Sequence, residues 1–308
     1  MIPETFSYGT NHVLQTVTVT TYSALPDQGY WVICIHGGAW RDPIQTALTY
    51  LTPAASILTA SEPYSSTTCT HLAGFASIDY RLSAHPDHPQ DRNITSPKEY
   101  RDAVHPDHLS DVQAALAFLQ RKYGFGDRYI LVGHSAGATL AFQSVMGRFR
   151  GSGSSSVGEG GSVAMGPQAI LGMAGIYDLR LLRDDHETIT AYQQFIEGAF
   201  GSDEALWDEV SPATMVRDPQ DGLVGGWTAG RLAVLAHSAE DELVNPRQQE
   251  VMGEALKSWV EASAASGTGP RRVELLPING AHDDPWDKGK ELARAIAFTL
   301  EKLLELQG

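Results

Sequence analysis

The chain of 308 residues is long enough for one large α/β domain with a substantial core, or for two small domains. Its formal charge is −15, from 22 Lys and Arg against 37 Asp and Glu, which opposes nonspecific attraction to nucleic acid or anionic lipid and leaves small neutral or zwitterionic ligands open. No stretch approaches the roughly 18 uninterrupted apolar residues of a membrane helix, and the opening MIPETFSYGT lacks the basic and apolar blocks of a secretory signal, so a cytoplasmic protein without membrane contact is expected.

In chain order, LQTVTVTTY (14–22) alternates with period two and predicts an antiparallel edge strand. WVICIH (31–36) is a continuous apolar run ending in a glycine turn. It carries Cys34, expected as a reduced, buried thiol; with Cys69 it makes no disulfide framework. GFASIDYRL (74–82) reads as a third strand. From Pro106 to Tyr123, Leu109, Val112, Leu116 and Leu119 share one helical face, with Asp107 and Asp111 near the positive N-terminus. The strand YILVG (129–133) follows, then a helix opening at Ala138. Residues 151–166, GSGSSSVGEGGSVAMG, read as a flexible Gly/Ser-rich loop within one alternating series. AILGMAGIYDL, RLAVLAHSAED and RVELLPINGAH add three strands. Residues 184–227 break the rhythm with helical, aromatic-containing sequence, the size of a cap insertion above a sheet. Leu256, Trp259 and Val260 mark a helix before the last strand; Leu292, Ile296, Leu300 and Leu303 mark the closing one. Strand–helix alternation predicts the α/β class, a single domain with a mostly parallel central sheet flanked by helices.

Ser135 falls on the turn of YILVGHSAGATLAF, with Gly133 and Gly137 at minus two and plus two. In a sharp strand-turn-helix elbow a side chain at either place would collide with a neighbour, so G-x-S-x-G in this context reads as a nucleophile elbow rather than a plain turn. A serine hydroxyl is a weak nucleophile; an imidazole must take its proton, and a carboxylate must fix and stabilise that imidazole. An α/β-hydrolase fold supplies them in the order Ser, acid, His, each after a strand. RLAVLAHS runs into Glu240, Asp241 and Glu242, of which Asp241 is chosen as the acid, and the last strand ends at His282. His237 also closes a strand but precedes the acid, which favours a packed or solvent-facing residue. The loop IHGGAW supplies the N–H groups of Gly37 and Gly38, or Ala39, which with that of Ala136 would form an oxyanion hole. His36 would orient this loop.

Two copies of HPDH, at 85–88 and 105–108, raise a metal reading. Pro106 and Asp107 are explained as a helix start and His85 and His88 as part of a proline-rich loop, so no metal is expected. Trp40 follows the oxyanion glycines and reads either as core or as a substrate-facing aromatic. The segments HGGAW, DYRLS, GHSAGA, GIYDL, HSAEDELV and NGAHDDPW resemble the hormone-sensitive-lipase-like α/β-hydrolases. HGGAW followed by DPIQT, and FIEGAFG with the later SP, resemble the fungal kynurenine formamidases (arylformamidases) among them. The resemblance implies hydrolysis of N-formyl-L-kynurenine to L-kynurenine and formate on the route toward NAD, by a serine nucleophile and without a cofactor. A short-acyl carboxylesterase and a noncatalytic ligand-binding hydrolase fold are the alternatives. For the amino-acid end of the substrate, Arg41 and Tyr80 are the available guesses; oligomeric state is not legible.

Overall fold

The structure, a computed structural model, describes residues 3–21, 29–62, 64–150, 164–266 and 269–306. Eight strands form one sheet: β1 (Glu4–Ser7), β2 (Thr16–Thr21), β3 (Tyr30–Ile35), β4 (Leu72–Ile78), β5 (Tyr129–His134), β6 (Ala169–Met173), β7 (Leu232–Ser238) and β8 (Arg272–Ile278), in the order β1-β2-β4-β3-β5-β6-β7-β8. The pairs β1–β2 and β2–β4 are antiparallel and all others parallel. This is the α/β-hydrolase fold expected from the alternation. The strand predicted at 14–22 is present, with Val17 and Val19 inward, but it is not the edge. That place belongs to β1, a short exposed strand whose one large apolar residue, Phe6, gives no period-two signal.

Helices cover both faces, which is why β3, β5, β6 and β7 are buried along their whole length. On one face, Val32, Cys34, Ile130, Val132, Leu171 and Val234 pack against α1 (Ala47–Ala60) and α12 (Lys290–Glu305), the latter through Leu292, Ile296, Leu300 and Leu303. On the other, Ile33, Leu131, Ile170 and Leu235 meet α3 (Asp107–Tyr123), α4 (Ala136–Gln143) and α10 (Arg247–Ser266). Helix α3 begins with Asp107 and ends with Arg121 and Lys122 before the left-handed Gly124, the charge order that a helix dipole favours. Cys34 is a buried free thiol whose ionisation burial disfavours. Two shorter helices, α2 (Tyr64–His71) and α11 (Asp284–Asp287), complete this layer.

The helical interruption between β6 and β7 starts earlier than 184. It comprises α5 (Leu179–Asp185), α6 (Thr190–Phe200), α7 (Glu204–Val210), α8 (Pro212–Met215) and α9 (Leu223–Gly226). Trp227, at its end, is core: it stacks on Trp259 with ring centroids 4.5 Å apart. Of the predicted Gly/Ser loop at 151–166, residues 151–163 lie outside the described residues. Among the described residues no helix is long and apolar enough to cross a membrane. The parallel strands all end at one edge of the sheet, and the loops leaving β3, β5, β7 and β8 there carry Gly37, Gly38, Ser135, Asp241 and His282.

The two HPDH copies serve different surroundings. His85 and His88 meet edge to face at 4.9 Å in the loop after β4, whereas His105 packs on Phe149 and Phe200 and His108 bonds the Ser83 hydroxyl at 3.0 Å. Burial, with the neighbouring charge of Arg148, lowers the His105 pKa to about 4; burial, with His105, lowers that of His108 to about 3. Both are neutral in the fold and take up protons on unfolding below their ordinary 6.5. Stability is therefore expected to be full above about pH 6.5 and to fall as pH drops toward 3–4, with a slope of up to roughly 1.4 kcal/mol per pH unit for each such histidine. Urea midpoints measured across this range would show it, and His108→Gln would flatten the slope.

Candidate active site

The turn after β5 is the tightest place in the sheet. Ser135 has φ 52° and ψ −119°, a left-handed backbone that costs on the order of 1–3 kcal/mol in a residue with a side chain. It is held by three main-chain bonds: Ser135 N–H donates to the Met173 carbonyl (2.9 Å), and the Ser135 carbonyl accepts from Ala138 (3.0 Å) and Ile176 (3.3 Å). The flanking glycines are required by space. A Cβ on Gly133 would stand 2.3 Å from the Gly137 carbonyl oxygen, and one on Gly137 would stand 2.3 Å from that of Ile35. The elbow is thus pressed directly onto the end of β3.

That contact brings the HGGAW loop to the serine, since a Cβ on Gly37 would lie 3.1 Å from Cβ of Ser135. Tyr80, at the end of β4, is fully buried and donates its hydroxyl to the carbonyls of both His36 (3.1 Å) and Gly37 (3.0 Å). Across a trans peptide the C=O and N–H point oppositely, so the N–H groups of Gly37 and Gly38 are turned away from Tyr80. Among the described residues neither they nor those of Ala39 and Ala136 donate to a protein acceptor. His36 does orient the loop: its ring stacks on Tyr80 at 4.5 Å, its Nδ1 bonds the Gly37 carbonyl, and burial lowers its pKa. Tyr80 serves the same purpose, which removes it from the candidates for the substrate's amino-acid end.

The three adjacent acids after β7 divide one task. Oδ2 and Oδ1 of Asp241 lie 2.8 Å and 3.0 Å from Nδ1 of His282. Glu240 accepts from the Gly280 N–H (3.1 Å) and Glu242 from the His282 N–H (3.0 Å). Asp241 therefore holds the imidazole and its neighbours hold the backbone that carries it. A carboxylate only accepts, so Nδ1 of His282 bears the proton and Nε2 is left as a base. Asp241 also accepts from the Leu243 and Val244 N–H groups, and His237 Nε2 stands 3.3 Å from its Oδ2 and 2.8 Å from the Val244 carbonyl. With two acceptors before it, Nε2 of His237 is the protonated nitrogen. Burial pushes the Asp241 pKa up, yet the bonds from His237 and His282 outweigh it and hold the carboxyl well below the usual carboxylate range.

His237, expected to be only a packed or solvent-facing residue, is thus buried against the acid. Its position four residues before Asp241, at the buried end of β7, was the available signal. His134 Nε2 donates to the His282 carbonyl (3.0 Å), tying the last strand's loop to the elbow; burial lowers its pKa to about 3. The Ser135 hydroxyl makes no hydrogen bond to a described side chain, His282 included. The ring nitrogens of His134 and His282 and a carboxylate oxygen of Asp283 lie within 4.8 Å of one another, the one cluster of metal-ligating composition among the described residues. One atom of each is engaged, Nδ1 of His282 on Asp241, Nε2 of His134 on the His282 carbonyl and Oδ1 of Asp283 on the Trp286 indole at 2.9 Å, while Nδ1 of His134 is buried without a hydrogen-bond partner.

Of the two readings of Trp40, core packing is the one that its burial supports. The left-handed backbone at Ala39 (φ 48°) and Trp40 (φ 60°) accompanies an indole that is fully buried, edge-on to Phe200 at 4.9 Å and tilted against Phe195 at 6.2 Å. It supports α6 from below.

The BD-FAE family matches residues 25–256. The chain is similar to "Kynurenine formamidase-like hydrolase fscH" of Fusarium equiseti, 40% identical over 90% of this chain and 85% of that protein. It is also similar to "Kynurenine formamidase avaC" of Aspergillus versicolor, 36% identical over 84% of each chain, and to the kynurenine formamidase of Meyerozyma guilliermondii, 28% identical over 82% of this chain and 79% of that one. Among solved structures, the thermophilic esterase Est2 of Thermogutta terrifontis superposes with a TM-score of 0.62 at 15% identity, over 99% of this chain and 92% of that one. Esterase B of Lactobacillus rhamnosis gives 0.59 at 16%, over 99% and 87%. At such identities the structural likeness speaks for the fold.

Two variants probe this architecture. Gly137→Ala places a methyl group against the Ile35 carbonyl and is expected to cost about 3 kcal/mol, read as a shifted urea midpoint. His237→Leu removes a hydrogen bond to a buried carboxylate, a loss of about 1.5–3 kcal/mol. It is expected to lower kcat by roughly ten- to a hundredfold with KM little changed. An unchanged kcat would mean that Asp241 is fixed without it.

Proposed function

The chain belongs to the BD-FAE family and, within it, to the kynurenine formamidase-like hydrolases; on that premise we propose that it hydrolyses N-formyl-L-kynurenine to L-kynurenine and formate. The observation that carries the reading is the Asp241–His282 pair, which leaves Nε2 of the imidazole as a base at the same sheet edge as the positive-φ elbow serine.

The residues divide the reaction as follows. Ser135 Oγ attacks the formyl carbon while Nε2 of His282 takes its proton, and Asp241 stabilises the resulting imidazolium. Because the bond from His282 to serine forms only in the reacting geometry, a loose Ser135 hydroxyl in the free enzyme is compatible with the role. Negative charge on the formyl oxygen is met by the N–H groups of Gly37, Gly38 and Ala136, where each such donor is worth about 3 kcal/mol. The C–N bond then breaks as His282 returns the proton to the departing arylamine. An aniline nitrogen is a better leaving group than an alkylamine, so serine chemistry of the esterase kind suffices for this amide. Water, deprotonated by His282, attacks the formyl-serine ester, releasing formate and restoring the hydroxyl.

Formyl is the smallest acyl group, so the acyl side tolerates the close approach of Gly37 to Ser135. The helices α5 to α9 act as a cap over the aromatic leaving group, and α6 of that cap carries Phe195 and Phe200, which pack on Trp40. The reaction belongs to tryptophan breakdown toward NAD and needs no cofactor. A cytoplasmic setting is consistent with the free thiol of Cys34.

The test compares N-formyl-L-kynurenine with p-nitrophenyl acetate in wild-type protein and in Ser135→Ala. The expected result is a much larger kcat/KM for the formamide and loss of both activities in the variant. Turnover of the ester alone would leave the hydrolase intact and defeat the substrate assignment.

A further inference from the structure

Next to the catalytic loops lies a cavity of about 460 Å³ that the deformylation steps leave unused. It is enclosed by the loop after β3, the loop after β4 and helix α6, and so opens at the same edge of the sheet as Ser135. Its polar lining is Arg41, His85, His88, Tyr100, Arg101 and Gln194, with no carboxylate among the lining residues. In a chain with a formal charge of −15, this is a local reversal of sign. The acids that Arg41 feels, Asp87 and Asp42, do not pair with it within 4.0 Å.

The two arginines differ. Arg101 is committed to structure, donating to the His88 carbonyl at 2.5 Å. The guanidinium of Arg41 makes no hydrogen bond or ion pair among the described residues, and lies 5.5 Å above the ring of Phe195. Both ends of the Arg41 segment are fixed. The N–H groups of Arg41 and Asp42 donate to the Gly38 carbonyl at 2.9 Å and 2.8 Å, so Arg41 leaves one tight turn beyond the oxyanion glycines. Phe195 touches both Trp40 and Arg41, which links the aromatic floor to the cation. A planar, permanently charged fork above an aromatic ring, in a lining of further hydrogen-bond donors, suits a carboxylate.

We propose that Arg41 anchors a subsite for the α-carboxylate of the substrate's amino-acid arm, with Gln194 and His85 as neighbours of the bound group. The proposal rests on the N-formylkynurenine reading and deepens it: the formyl group would lie at Gly37, the aryl ring near Phe195 and the carboxylate in the cavity. Burial first, and then the neighbouring Arg41 and His88, lower the His85 pKa in the free protein. Arg41 acts on binding alone, with no bond made or broken at it.

The experiment measures the ratio of kcat/KM for N-formyl-L-kynurenine to that for formanilide, which carries the same aryl formamide without the amino-acid arm. In Arg41→Gln the ratio is expected to fall at least tenfold, chiefly through KM, and in Arg41→Lys by less. An unchanged ratio overturns the proposal. A second readout keeps it separate from the substrate assignment: inhibition of p-nitrophenyl acetate hydrolysis by L-kynurenine and by its decarboxylated amine. Wild-type protein should bind the amino acid at least tenfold more tightly, and Arg41→Gln should abolish the difference. Failure of wild type to cleave N-formyl-L-kynurenine defeats the substrate reading; equal inhibition by the two compounds defeats the carboxylate subsite whatever the substrate.

Discussion

Where the elbow helix meets the end of β3, the chain has no room for a Cβ. Gly137 lies against the carbonyls of Ile35 and His36, and Gly133 against that of Gly137 itself. This contact forces the serine between them into a left-handed backbone and, in the same step, sets it beside Gly37. Ser135 and the backbone N–H groups of Gly37 and Gly38 are therefore placed by one steric constraint rather than by two independent loops. The strain at Ser135 is offset by main-chain bonds to β6 and its following loop, so the cost is met within the sheet.

Around this fixed point the structure supplies direction by making some groups unavailable. Tyr80 occupies the carbonyls of His36 and Gly37, and what remains to that loop is its N–H groups. Asp241 occupies Nδ1 of His282, and what remains is Nε2. His237 and two backbone N–H groups saturate Asp241, and the carboxylate is kept ionised where burial alone would favour its protonation. Glu240 and Glu242 fasten the backbone of the His282 loop, and His134 ties that loop to the elbow. Each interaction leaves a single reactive valence pointing to the sheet edge, which is how a large hydrophobic scaffold specifies a small polar site.

Much of this was legible in the sequence because glycine and strand-end positions have few physical explanations. Gly133 and Gly137 around Ser135 announce a close backbone approach, and the apolar runs that end at Asp241 and His282 announce loops on the same edge. The strands β3, β5, β6 and β7 were readable because both faces are buried, and β1 was not because neither is. What sequence could not show is how neighbours in space share work. Three consecutive acids look alike until Glu240 and Glu242 are found on main-chain N–H groups. His237 and Tyr80 carry no motif that separates a supporting bond from packing, and Trp40 lies under α6, a relation that no local pattern encodes. The cation at Arg41 was visible as a residue, but its place over Phe195 without a hydrogen-bond or ion-pair partner among the described residues is a property of the fold.

The central claim is that one serine, set by the Gly137 contact and served by Asp241 and His282, carries out deformylation. Titration with a fluorophosphonate, which phosphonylates activated serines with loss of fluoride, tests it most directly, with the label mapped by peptide mass spectrometry while N-formyl-L-kynurenine hydrolysis is followed. The account predicts one label per chain, on the peptide containing Ser135, and activity that falls in proportion to labelling until none remains. Full labelling of Ser135 with hydrolysis retained would contradict it.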